Sequence, residues 1–187
     1  SCLNSRPLTR ESWFPTSRGD IIQLDDKRLL EVLQQSPDKV ELKDAGGAIT
    51  SVSTPEFYHW QFKNISKSDS FGVVCHFGVD YAHLNICLQE IPKQFRQAIN
   101  ETLAHTDFAD HLKDVLVEFS NANSSSLDYL IYVTLRKEAA RSYFKVQRLV
   151  QQACVSVCER ENWNIPFPQL TVHRAQSTEL HTPNHSG

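Results

Sequence analysis

Methionine is missing from the whole 187-residue chain, the first position included, so the sequence is expected to be a piece of a longer product. No apolar run approaches the roughly 18 to 20 residues that a membrane helix needs, which excludes a spanning helix here. The chain does not open on the basic, apolar and small-residue pattern of a signal peptide. Cysteine is sparse: Cys2, Cys75, Cys87, Cys154 and Cys158 form an odd set without a Cys-x-x-Cys pair, as a reducing compartment favours. Cys154 and Cys158 lie one helical turn apart and could share a metal, but buried structural thiols are the simpler reading. A Gly-rich phosphate loop, a Gly-x-Ser-x-Gly elbow and a His-Glu-x-x-His helix are all absent. Catalysis therefore has no visible apparatus, and neither enzyme, cofactor nor metal is expected.

What is present is an ordinary globular composition, 40% hydrophobic and 22% charged. A net charge of −3 argues against a wholesale nucleic-acid or anionic-membrane binder. The charge is uneven. Residues 136–160 hold six Lys or Arg against two Glu, whereas residues 80–114 hold three against six Asp or Glu. Two helices of opposite sign can lie side by side or meet across a subunit boundary.

The stretch 137–172 organises the rest. Tyr143, Val146, Val150, Ala153 and Val157 recur at alternating steps of three and four, the apolar stripe of an amphipathic helix over residues 138–160. Arg141, Lys145 and Arg148 form a basic row on another face. After the helix, Pro166 and Pro168 force Ile165 and Phe167 into extended backbone and strip donors from one edge of the segment. The run Ile165-Pro166-Phe167-Pro168-Gln169, entered from a helix through a polar turn with Trp163, resembles the end of the cytoplasmic αβ domain of the small-conductance mechanosensitive channel family.

Upstream elements extend that resemblance. Residues 1–17 are polar and proline-broken, a connector. Residues 18–66 show five short strand patterns, at 20–24, 28–33, 39–43, 48–52 and 59–65, separated by turn residues. So many short strands predict a small barrel or strongly bent sheet, which resembles the family's Sm-like β domain. Asp20-Ile21-Ile22 sits where the family has a "G-D-x-I" strand, and the turn at 44–47 where it has a "D-G-x" hairpin. Phe62-Lys63-Asn64-Ile65-Ser66 sits at the "N-x-S" strand. The family's Gly-rich first hairpin is replaced by Asp25-Asp26-Lys27, and its Pro-Asn pair by Ser53-Thr54-Pro55. Residues 67–174 then read as a strand at 70–79, a helix capped by Asp80 and ending near Glu90, and a second helix from Pro92. Strands at 114–119 and 129–135, the long helix and a last strand at 169–173 follow. The order β-α-β-β-α-β predicts a ferredoxin-like domain, both helices on one face of a four-stranded sheet. The fold expected is thus α+β, an Sm-like β-barrel followed by a ferredoxin-like domain, with a flexible tail over 175–187.

The resemblance implies the vestibule of a tension-gated channel that releases ions and small solutes. It would sit on the cytoplasmic face of a membrane, tied to it by helices outside this sequence, and assemble with copies of itself, usually seven. It also implies that Lys63, Asn64, Ser66, Lys67, Ser68 and Asp69 border lateral portals, where polar side chains would bias which ions approach; an ordinary interdomain linker is the competing reading. The alternative function is a soluble Sm-like plus ferredoxin-like module binding RNA or a small effector. Against it, Tyr129 and Tyr132 are three apart in one strand and so on opposite faces, unsuited to a stacking platform. The cluster His105, Asp107, Asp110 and His111 could bind a divalent ion, but lacks an established spacing and reads as an exposed connection. His59, His76, His83 and His173 are scattered and read as core or surface histidines.

Overall fold

The computed structural model describes residues 14–167. It is a mixed α+β fold built on two antiparallel sheets. The first half contains β1 (Ile21–Leu24), β2 (Leu29–Gln35), β3 (Lys39–Asp44), β4 (Ile49–Ser53), a short helix α1 (Thr54–Tyr58) and β5 (Phe62–Asn64). The second half contains β6 (Ser70–Val79), α2 (Glu90–Ala104), β7 (Leu112–Ala122), β8 (Leu127–Arg136) and α3 (Tyr143–Arg160).

The first sheet has the order β4-β3-β2-β1-β5, so the expected barrel is not closed. Its two edges, β4 and β5, do not pair. The reason lies in the segment between them. Ser53 caps α1 by accepting the Glu56 amide at 3.3 Å, Pro55 fits the first turn, and Phe57 is fully buried. A helix thus covers the end of the core, and only three residues remain for β5, which starts at Phe62 rather than His59. The Ser53-x-x-Glu56 pattern was a readable helix start. Gly47, at φ +89°, closes the β3–β4 turn in a conformation that side chains resist.

Alternation then divides the apolar residues between two cores. Ile22 and Leu30 join Val32, Val40, Leu42, Val52 and Phe57 in the smaller one. Their neighbours Ile21 and Leu29 point to the other side and, with Ile65, enter the larger core of the second half. β1 and β2 are therefore a shared wall between the halves.

The second sheet has the order β6-β8-β7. Its buried positions alternate cleanly: Phe71, Val73, Cys75, Phe77 and Val79 on β6, and Leu127, Tyr129, Ile131, Val133 and Leu135 on β8. α2 covers this face with Ile91, Phe95, Ile99 and Leu103, and α3 with Tyr143, Val146, Val150, Ala153, Cys154, Val157 and Cys158. The whole stripe read from the sequence of α3 is buried. Phe95 is the hub of an aromatic group, with ring centroids 5.3 Å from Phe77, 5.7 Å from Tyr129 and 5.9 Å from Trp163.

Differences at element ends have local causes. The helix expected after Asp80 is a 3-10 turn, Tyr81–Ile86, capped by Asp80 Oδ1 on the Ala82 amide at 2.8 Å. α2 begins at Glu90 and carries Pro92 in its first turn, where a missing N–H costs nothing. α3 is preceded by another 3-10 turn, Lys137–Ser142. It ends at Arg160, and Asn162, left-handed at φ 56°, turns the chain so that the Trp163 amide reaches the Cys158 carbonyl at 2.8 Å. The strand expected at 169–173 lies outside the described residues, as do Pro168, Gln169, His173, Cys2 and the tail. Ile165, Pro166 and Phe167 are described and form no strand. No helix among the described residues is long and apolar enough to cross a membrane.

Candidate functional site

The junction between the halves is where the sequence places its candidate portal residues. β5 pairs antiparallel with β1, Lys63 opposite Gln23 and Asn64 opposite Ile22. A 3-10 turn, Ile65–Lys67, then carries the chain into β6 with Ile65 buried. Side chains here divide into two groups. Asn64 and Ser66 are partly buried and tie the turn down: Asn64 Nδ2 donates to Asp20 Oδ2 at 2.8 Å, and the Ile21 amide donates to Ser66 Oγ at 2.8 Å. Asp20 Oδ2 also accepts the Ser17 amide at 2.8 Å. Asn64 Oδ1 is buried and meets no hydrogen-bond donor among the described residues.

Lys63, Lys67, Ser68 and Asp69 are exposed. Lys67 Nζ donates to the Pro15 carbonyl at 2.9 Å, and the Asp69 carbonyl accepts the Lys137 amide at 3.1 Å. Of the six residues, two act as struts and four face solvent with both charge signs. The structure also joins to them a pair that sequence reasoning missed. Arg141 makes a two-pronged ion pair with Glu31, Nη1–Oε2 at 2.9 Å and Nη2–Oε1 at 2.5 Å, across 110 positions of sequence. No local signal marks such a contact; Arg141 was legible only as one member of a basic row. Beside this clasp a cavity of about 230 Å³ opens between the halves, floored by Ile21, Leu29, Leu30 and Phe144.

The other candidates resolve individually. Lys145 Nζ lies 3.8 Å from Asp107 and 5.8 Å from the Phe108 ring centroid, within the connection from α2 to β7. Among the described residues no three His, Cys, Asp or Glu side chains come together as a metal site. Tyr129 is fully buried and donates to the Cys87 carbonyl at 2.7 Å; burial raises its pKa, with the Cys87 side chain a lesser cause, whereas Tyr132 is 40% exposed on the opposite face. His83 Nε2 accepts the Asn164 amide at 2.8 Å, and Gln151 donates to the His76 carbonyl at 2.9 Å. His59 follows the last turn of α1 as its C-cap. Burial pushes the Cys75 and Cys158 thiols up to about 11 and raises Cys154 further, with Cys158 and Cys75 as lesser causes. These thiols are protonated packing groups, poor as nucleophiles or ligands.

No family model matches the chain, and no curated protein matches it by sequence. Solved structures do. The chain is similar to Helicobacter pylori MscS in its closed state, at 16% identity and a TM-score of 0.61 over 87% of this chain and 60% of that one. It is similar to Arabidopsis thaliana MSL1 at 15% identity and a TM-score of 0.53 over 83% of this chain and 54% of that one. Its structural neighbours are therefore mechanosensitive channels of the MscS family, not enzymes, and the chain spans little more than half the length of each.

Proposed function

We propose that this chain is the extramembrane vestibule portion of a mechanosensitive channel subunit, with an Sm-like first half and a ferredoxin-like second half. The observation that carries the reading is the fold shared with the closed Helicobacter pylori channel over 87% of the chain. In this reading, helices outside the given sequence hold the pore in the membrane and open under tension. Copies of the chain, seven in number, form a hollow cage on the cytoplasmic side. Ions and small solutes pass through openings bordered by Lys63, Lys67, Ser68 and Asp69, while Asn64 and Ser66 fix the turn that carries them. Exposed charges at an aqueous opening set the local potential, so they bias which ions enter without touching the gate.

The test is electrical. The complete gene product, expressed in cells stripped of their own mechanosensitive channels, gives tension-activated currents in excised patches and protects the cells against hypo-osmotic shock. Lys63→Glu with Lys67→Glu shifts the reversal potential toward cation preference and leaves the gating tension in place. Absence of any tension-activated current from a correctly inserted protein removes the reading.

A further inference from the structure

Among the described residues, nothing covers one face of the second sheet. β6, β8 and β7 bury their odd-numbered side chains under α2 and α3, and on the reverse face Val74 pairs with Tyr132 and Tyr132 with Leu116 in register. These three form an apolar row across the sheet, 39%, 40% and 42% exposed. The Tyr132 ring lies over Gly72, where a Cβ would run into it. Along β7 the row is flanked by the exposed carboxylates of Asp114 and Glu118, on the same face as Leu116. A contiguous apolar strip with a polar rim marks an interaction surface.

The complementary surface is on the same chain but in the opposite layer. The outer side of α3 exposes Lys145, Arg148 and, two turns on, Val155 at 44%. The core lies between these two faces, so one molecule cannot bring them together. A second copy can. We infer that the open sheet face of one copy takes the outer face of α3 of the next, Glu118 and Asp114 against Arg148 and Lys145, and Leu116 and Tyr132 against Val155. The contact is heterologous, and repeated around an axis it closes a ring. Opposite charges at the rim set the register of the helix on the sheet, and the apolar strip supplies the buried area. The inference rests on the proposed self-assembly and adds the surface that makes it.

The test uses the chain in a Cys2→Ser background, the other four cysteines being buried. Leu116→Cys together with Val155→Cys, oxidised, is expected to give a ladder of covalent oligomers extending beyond the dimer. Glu118→Arg is expected to weaken association at least about tenfold, and Arg148→Glu added to it to restore the affinity. An assembly seen by light scattering without that ladder overturns the inference and leaves the proposed cage intact. A strictly monomeric chain, in isolation and in the complete membrane protein, overturns both. Covalent dimers from Leu116→Cys alone would mean sheet against sheet, which also overturns it. So would a Leu116→Cys thiol shielded in the monomer and labelled only after residues 168–187 are removed, since the chain's own end would then be the occupant.

Discussion

The two halves solve the problem of a small sheet in different ways. The second half buries one face of three long strands under two helices and gathers aromatic rings around Phe95. The first half has five short strands, a core of seven buried side chains and a one-turn helix as its lid. It completes itself by lending Ile21 and Leu29 to its neighbour's core. Apolar burial stabilises in proportion to area, so the first half is the weaker unit and the shared wall is what couples its fate to the second.

The largest expected break in this comparison is Phe95→Ala, which removes the hub of the second core and costs about 3–5 kcal/mol in urea unfolding. If the halves share one cooperative transition, Trp60 and Trp163 fluorescence shift together; separate midpoints would show that the shared wall does not couple them. The alkaline limb comes next. The Cys75 and Cys158 thiols are raised from 9.0 to about 11 by burial, so the folded state holds protons that the unfolded chain releases. Their contribution is complete below about pH 9 and is lost as pH climbs to about 11. Melting temperature measured across that interval falls, and Cys75→Ala with Cys158→Ala flattens the slope. All the described cysteines belong to the second half, so a slope confined to the Trp60 signal would contradict the assignment.

Gly72→Ala forces the Tyr132 ring off the open sheet face and costs about 1–3 kcal/mol by thermal denaturation. Arg141→Gln opens the clasp on Glu31, an exposed pair on the arginine side, and costs about 0.5–1 kcal/mol. A double-mutant cycle with Glu31→Gln assigns that loss to the pair, and the coupling shrinks in high salt. Smallest is a gain: Lys27 holds the β1–β2 turn at φ 69°, and Lys27→Gly stabilises by about 0.5 kcal/mol in the same assay.

Much of this architecture was legible. The strand read at 70–79 is β6 and the one read at 129–135 lies within β8, and the three-four spacing named five buried residues of α3, because a helix face imposes its own period. The Asp80 cap was read from one residue and its neighbours. The barrel was not legible in its closure. Whether β4 meets β5 depends on what the chain does between them, and there Ser53-Thr54-Pro55, read as part of a loop, starts the helix α1, which buries Phe57. In the candidate site, all six polar residues were placed at the junction, but their division into struts and solvent-facing groups was not. Ser66, partly buried, accepts the Ile21 amide, whereas Ser68, two residues on, is exposed.

Local chemistry therefore determined this protein's element types, its helix starts and the faces they bury, since propensity, capping and periodicity act over a few residues. Only the tertiary structure decided that β1 and β2 serve two cores at once, that the first sheet stays open, and that Glu31 finds Arg141. Those outcomes depend on which distant surfaces arrive at the same place, and no pattern along the chain encodes that arrival.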